Sequence, residues 1–437
     1  MKFYRLALSL FLLLASGCAG QLFQGKINLP SMQPTGGAPP STAPTQPVRV
    51  GATPPSLATS APAEPVVLRV WLPPRFNPAD KAKSGTLLQA RLDAFTAQRS
   101  NMRIEVRIKA MDGPGGLLDS LTAASAAAPQ ALPDLVALDR PMLETAALKG
   151  LLHPYDGMTG AMDNPDWFDY AHQLAHLQNS TFGLPFAGDA LVMVYHPGSL
   201  HTPPADWAAA LKIGGPLAFP AADPQALVTL AFYQSLGGAV RDGQGRPFIN
   251  SDNLTSVFNF YQEAEQAGLM PYWLTQLQDD DQVWEAFTEN HTLMAATWAS
   301  HYLGSTITNT AVAPLPTQNG KPFTLATGWV WALASPQPER QALSVQLAEF
   351  LTEGNFLAEW TQAAGYLPPR PSALNSMSNA GLQTLLNEII TSAHLYPPAD
   401  ILNSLGPAME QAAGQVLKKQ IDPVGAAQVA VKDLSGP

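Results

Sequence analysis

Metal binding and catalysis need side chains that can hold an ion, move a proton or attack a substrate, and this sequence offers few such groupings. His172 and His176 stand four apart in "HQLAH" and would share one helical face, the spacing of paired metal ligands. The glutamate that supplies the base in an HExxH pattern is missing, so a solvated or packed pair is the plainer reading. Asp279-Asp280-Asp281 could attract calcium; an exposed loop whose last aspartate caps a helix beginning near Gln282 explains it more simply. No GxSxG elbow, P-loop or GxGxxG stretch occurs, and "DGQG" at Asp242 to Gly245 is a turn signal. Cys18 is the single cysteine of 437 residues, which excludes a disulfide framework. Neither a metal nor a cofactor is expected.

The surroundings of Cys18 give it another use. Lys2 and Arg5 precede an apolar run from Leu6 to Ala15, the layout of a secretory leader. That run is shorter than the roughly 20 residues needed to span a bilayer. Ala15-Ser16-Gly17-Cys18 resembles a bacterial lipobox, although leucine is commoner three positions before the cysteine. Residues 1–18 are therefore expected to be a signal peptide ending at a lipidated Cys18. Residues 19–65 are rich in Pro, Thr, Ser, Ala and Gly and cannot bury a core, so a disordered linker is expected, reaching roughly 40 Å.

Composition narrows the partners. With 13% charged and 46% hydrophobic residues and a net charge of −10, the chain as a whole has ample material for a core. Its Lys and Arg form no cluster, which argues against nucleic acid as a partner.

From Val66 the pattern becomes that of an α/β protein. "VVLRVWL" reads as a strand, "SGTLLQARLDAFTAQRS" as a helix with Ser84 as its cap and Leu87, Leu88, Leu92 and Phe95 on one side, and "MRIEVRIKAM" as the next strand. "GLLDSLTAASAAA" is a helix and "LPDLVALD" a buried strand ending in Asp139. The alternation predicts parallel sheets with right-handed crossovers, and roughly 370 residues of it predict two domains.

The order of the segments resembles the extracellular solute-binding proteins of ABC importers, of the carbohydrate-binding kind. The resemblance rests on "VLRVWLPP", "LPDLVALDRPMLETAALKGLLHPYD", "FGLPFAGDALVMVYHPGSL", "SLGGAVRDGQGRPFINS", "WEAFTENHTLMAATWASHY", and "APLPTQNGKPFTLATGWVWALAS" followed by "AEFLTEGNFLAEWTQAAGYLPPRPSAL". They cover about residues 66 to 374. The resemblance implies a two-lobed clamshell, each lobe a doubly wound sheet flanked by helices, with the ligand cleft between them. Lobe 1 would comprise 66–187 and 323–371, lobe 2 188–322 and 372–437, with crossovers near Pro185 to Gly188 and Lys321 to Thr324. It also implies an extracytoplasmic receptor, anchored to a bacterial membrane through Cys18 and expected to be a monomer. Its partners would be a small solute, a carbohydrate by resemblance, and the permease subunits of an importer.

On the matched positions the candidate ligand contacts are Trp71, Asp139, Asp189, Trp298, Gly328, Trp329, Trp331, Tyr366 and Arg370. Asp189 and Arg370 would hydrogen-bond hydroxyls, Trp298, Trp329 and Tyr366 would stack on sugar rings, and Gly328 would let the backbone approach. Each has a plainer use: Trp71 and Trp331 could pack a core, Arg370 could form an interlobe ion pair, and Asp189 could cap the next element. The chain departs from the family pattern at His196-Pro197, at Thr327, and at Leu72-Pro73-Pro74, where a polar residue is usual. A glycoside hydrolase would need a second carboxylate about 5 to 9 Å from the first, which sequence does not locate. A surface lipoprotein that binds other proteins is a third reading.

Overall fold

The computed structural model describes residues 65–99 and 101–435. The expected leader, Cys18 and all but the last residue of the expected linker lie outside the described residues. Apolar and β-branched runs give the strands β1 (Val66–Leu72), β2 (Met102–Ile108) and β3 (Leu135–Asp139), followed by two short strands, β4 (His176–Leu177) and β5 (Ser180–Thr181). The long strand β6 (Leu184–Tyr195) precedes β7 (Leu217–Ala218), β8 (Met294–Trp298), β9 (Ala311–Ala313), β10 (Thr324–Leu333) and β11 (Ala393–Leu395).

β1 lies parallel to β2 from Val66↔Met102 to Leu72↔Ile108, and parallel to β3 on its other side. The helix Lys83–Ala97 buries Leu88, Leu92 and Phe95, but it begins before Ser84, and its N-cap is Ala82 with no side-chain bond. The sheet as a whole is mixed rather than parallel. β10 runs antiparallel to β3 and to β6, and the strands join in the order β2-β1-β3-β10-β6-β8-β7, with β11 on β10 and β9 on β6.

The cause is β6, whose twelve residues, at about 3.3 Å each, reach through both halves of the sheet. Leu184 to Ala190 pair with β10, and Leu191 to Tyr195 with β8 and β9. The switch falls at Ala190 and Leu191, a little beyond the expected crossover at Pro185 to Gly188. Thr324, at the start of β10, fastens this point by donating its Oγ1 hydrogen to the Leu191 carbonyl at 2.5 Å. Pro185 cannot donate to a ladder, and beside it the register shifts: Trp329 faces Ala187 while Val330 faces Pro185, which leaves Phe186 as an extra residue.

Helices cover the sheet on both sides. Leu88, Phe95, Phe186, Trp331 and Trp360 belong to the larger apolar cluster; Trp71, Leu117, Leu138 and Val330 belong to a smaller one. After Glu353 the helix Gly354–Ala364 packs on Lys83–Ala97, and β11 rejoins β10. The helix Ala399–Leu417 then packs against Ser251–Gln266 and Pro423–Ser435.

Candidate functional site

A cavity of about 400 Å³ lies where β6 and β10 pass between the two halves of the sheet. Helices begin around it, and aspartates sit at their starts, because a carboxylate satisfies the free N–H groups and the positive end of a helix. Asp139 ends β3 and accepts from Met142 N at 3.0 Å, capping the helix Arg140–Leu148. Asp189 accepts from Ala190 N and from Ser300 N, both at 3.0 Å, and so crosses from β6 to the start of Ala299–Gly304. Asp223 accepts from Gln225 N at 2.9 Å and Leu227 N at 3.0 Å, bracing Ala226 at φ +48° before Leu227–Ser235. Asp279 accepts from Gln282 N at 2.9 Å. The first aspartate of the run, not the last, is therefore the cap, and the helix starts at Asp280.

Burial raises several of these acids. The Asp139 carboxyl is pushed up to about 6, the bond from Met142 N partly offsetting the loss of water. Asp189 is pushed up to about 7 by burial against the lowering effect of Ser300 and Ala190. Asp223 and Asp280 move the same way for the same reason.

Aromatic groups form the rest of the wall. Trp298 ends β8, is half-buried and meets Tyr396 at 6.5 Å between ring centres. Trp329 is edge-on to Phe76 at 4.9 Å, and Phe76 also meets Tyr366 at 5.7 Å. Arg75 Nη1 donates to Tyr366 Oη at 2.7 Å, and its guanidinium carbon lies 5.6 Å from the Trp329 ring centre. Gly188 exchanges two backbone hydrogen bonds of 2.8 Å with Leu367, which holds the Tyr366 segment against β6.

Six of the nine expected contacts thus line the cavity: Asp139, Asp189, Trp298, Gly328, Trp329 and Tyr366. Their roles differ in part from expectation. Trp329 and Tyr366 are largely buried, so Trp298 offers the most open ring. Gly328 answers a packing demand as well, since a Cβ there would sit 2.4 Å from the Ala187 carbonyl oxygen.

The other three are not in the cavity wall. Trp71 points into the smaller apolar cluster, with Lys109 Nζ 4.8 Å from its ring centre. Trp331 stacks on Phe186 at 4.4 Å, deep in the larger one. Arg370 pairs with Asp166 at 3.3 Å and covers the Trp167 ring at 3.8 Å. All three are consumed by packing or ion pairing.

Sequence reasoning missed Arg75, Asp223, Ser300, His301 and Tyr396, which also line the cavity. Arg75 follows a Pro-Pro pair that ends β1, and Asp223 precedes a proline, the only local signals either one carries.

The histidine pair does not form a metal site. The helix ends at Ala175, and the two rings stack at 4.4 Å. His176 spends Nδ1 on the His172 carbonyl at 2.6 Å and Nε2 on Thr181 Oγ1 at 3.2 Å. Among the described residues, Asp280, Asp281 and His301 place ligand atoms within 4.8 Å of one another. They satisfy one another instead, with His301 Nε2 3.0 Å from Asp281 and Nδ1 2.7 Å from Thr297 Oγ1.

Comparison with known proteins agrees with this geometry. No curated protein matches the sequence. The fold matches a cyclo/maltodextrin-binding protein complexed with maltotetraose (TM-score 0.69, 20% identity, covering 86% of this chain and 98% of that one). It also matches the sugar-binding protein MalE from Xanthomonas citri (0.67, 19%, 85% and 98%) and the maltose-bound MalE3 of T. maritima (0.65, 18%, 85% and 99%). The fold is therefore the two-lobed clamshell. The family model described as bacterial extracellular solute-binding protein matches residues 90–383, more than half of the chain. The chain belongs to the family of bacterial extracellular solute-binding proteins.

Proposed function

We propose that this chain captures a sugar or short oligosaccharide in the cleft at the β6/β10 crossing and delivers it, unchanged, to the permease of an ABC importer. One observation carries the reading: a cavity of about 400 Å³ where anchored carboxylates and the open Trp298 ring share one wall. Such a wall suits a ligand with many hydroxyls and apolar ring faces, and the volume lies within the range of small-molecule sites. The fold's likeness to proteins crystallised with maltose and maltotetraose supports the same class.

The lobes then rotate about β6, β10 and the segment after β11, closing on the ligand as a hinge. For the boundaries we propose 66–190 with 323–396 as the first lobe, and 191–322 with 397–437 as the second, which moves the first crossover from 187 to the switch at Ala190 and Leu191. The last return also moves, from 371 to 396, because β11 still pairs with β10. Cys18 would tether a monomeric receptor to the membrane outside the cytoplasm. Thermal shifts with mono- and oligosaccharides test the core claim: a binder should raise the melting temperature, by RT ln(1 + [L]/Kd) in free energy, and be recovered intact. The Trp298→Ala chain should lose most of that shift. Absence of any shift across the panel, or a cleaved sugar, would refute the proposal.

A further inference from the structure

The cavity is charged with one sign. Asp139, Asp189, Asp223, Asp279, Asp280 and Asp281 line it, against Arg75 and His301 as the basic lining groups. Both of these are engaged, Arg75 with Tyr366 and His301 with Asp280 and Asp281. No lysine lines the cavity. The helix starts around it are already topped by aspartates, so an anionic solute would meet occupied N-termini and like charge.

The carboxylates are not equally occupied. Asp223 spends both oxygens on backbone N–H groups. Asp139 uses only Oδ1, for Met142 N, and its Oδ2 has no hydrogen-bond partner among the described residues. It stands at the carboxyl end of β3, where ligands of open α/β sheets bind. Burial raises the proton affinity of Asp139, with a further push from Asp112, and the Met142 N–H and the Arg75 guanidinium offset only part of it.

We infer that the solute carries a protonated amine, an amino sugar rather than a neutral one, with Asp139 as its counter-ion. The inference rests on the reading of this cleft as the solute site. A hydroxyl could donate to the same oxygen, but only a cation also balances the charge of a wall lined by six aspartates, and charge-assisted bonds are roughly twice as strong as neutral ones.

Calorimetric titration of the folded chain tests it at a pH where the amines are protonated. The probes are glucosamine, galactosamine and the chitosan di- and trisaccharides, each with its N-acetyl and its hydroxyl counterpart. At least one amine should bind about tenfold or more tightly than both counterparts, a difference of ~1.4 kcal/mol. Asp139→Asn, which keeps the Oδ1 acceptor, should collapse that ratio, and 0.5 M NaCl should shrink it. If N-acetyl or hydroxyl forms bind as tightly as their amines, or bind while the amines do not, the inference fails and the sugar-receptor proposal stands. If neither these probes nor the neutral oligosaccharides bind, both fail.

Discussion

Replacing Asp189 by Asn should make the protein more stable at neutral pH, and only there. The residue is 7% exposed, and the proton affinity of its carboxyl is raised from 3.8 to about 7 by burial. A folded-state pKa above the unfolded one means that the native chain binds the extra proton. Stability contributed by this group is therefore full below about pH 4 and is lost as pH rises toward 7. The gap between 3.8 and about 7 corresponds to ~4 kcal/mol at full ionisation, at 1.36 kcal/mol per pH unit. Water entry and relaxation reduce that, so a gain of ~1–4 kcal/mol is expected at pH 8. An amide keeps the Oδ1 acceptor for Ala190 N and Ser300 N, so the strand-to-helix link survives. Urea unfolding of both chains at pH 4, 6 and 8 reads the effect: the curves should coincide at pH 4 and diverge by pH 8, the Asn chain higher. A variant equally destabilised at all three values would refute the claim that Asp189 is held ionised at a cost.

Three further outcomes are expected. Arg140 and Glu144 form a buried pair at 2.6 Å, and Glu144 Oε2 also accepts from Ala399 N at 2.9 Å, joining the helix Arg140–Leu148 to the start of Ala399–Leu417. Glu144→Ala strands a buried guanidinium and should cost ~3–5 kcal/mol in urea unfolding, with Glu144→Gln losing less. Gly188→Ala would bring a Cβ to 1.9 Å from the hydroxyl of fully buried Tyr170 and should lower stability by ~1–3 kcal/mol or more by thermal unfolding; adding Tyr170→Phe should recover part of it. Cys18→Ser should move the protein from the membrane to the soluble fraction on fractionation, and a chain that stays with the membrane refutes the proposed anchor.

The strands were readable because their signal is local. β1, β2 and β3 follow β-branched and apolar runs, and Asp139 at the end of β3 marks a strand-to-helix turn that sequence alone locates. Direction is not local. The pattern of "TLATGWVWAL" is the same whether β10 runs up or down, and only its pairing with β6 and β3 makes it antiparallel. The tryptophans show the same limit. Trp329 and Trp331 are two residues apart in one strand, yet the first reaches the cavity and the second stacks on Phe186. Both face the larger apolar cluster; what separates them is position along β10, Trp331 lying two residues farther from the cavity and covered by Phe186, a neighbour that no reading of β10 alone contains. Tyr396 is further still from any motif: it reaches the cavity because its N–H bonds to the Ala326 carbonyl at 2.9 Å, across 70 residues of chain.

The aspartates explain why this cleft can be both rigid and receptive. A ligand hydroxyl or amine needs an acceptor held in place before it arrives, because ordering a free side chain would subtract from affinity. Asp139, Asp189, Asp223 and Asp279 are held by backbone N–H groups at the starts of helices, so their rotamers are set by the fold itself. The arrangement leaves the negative charge in place, and burial makes that charge costly at Asp139 and Asp189. On the proposed function, a donor bound there would relieve that cost, and the cost would become selectivity for the solute. On the proposed reading of this cleft, Asn at position 189 should therefore both stabilise the chain and weaken its response to the sugar, which thermal shifts of the Asn chain with the same panel would check.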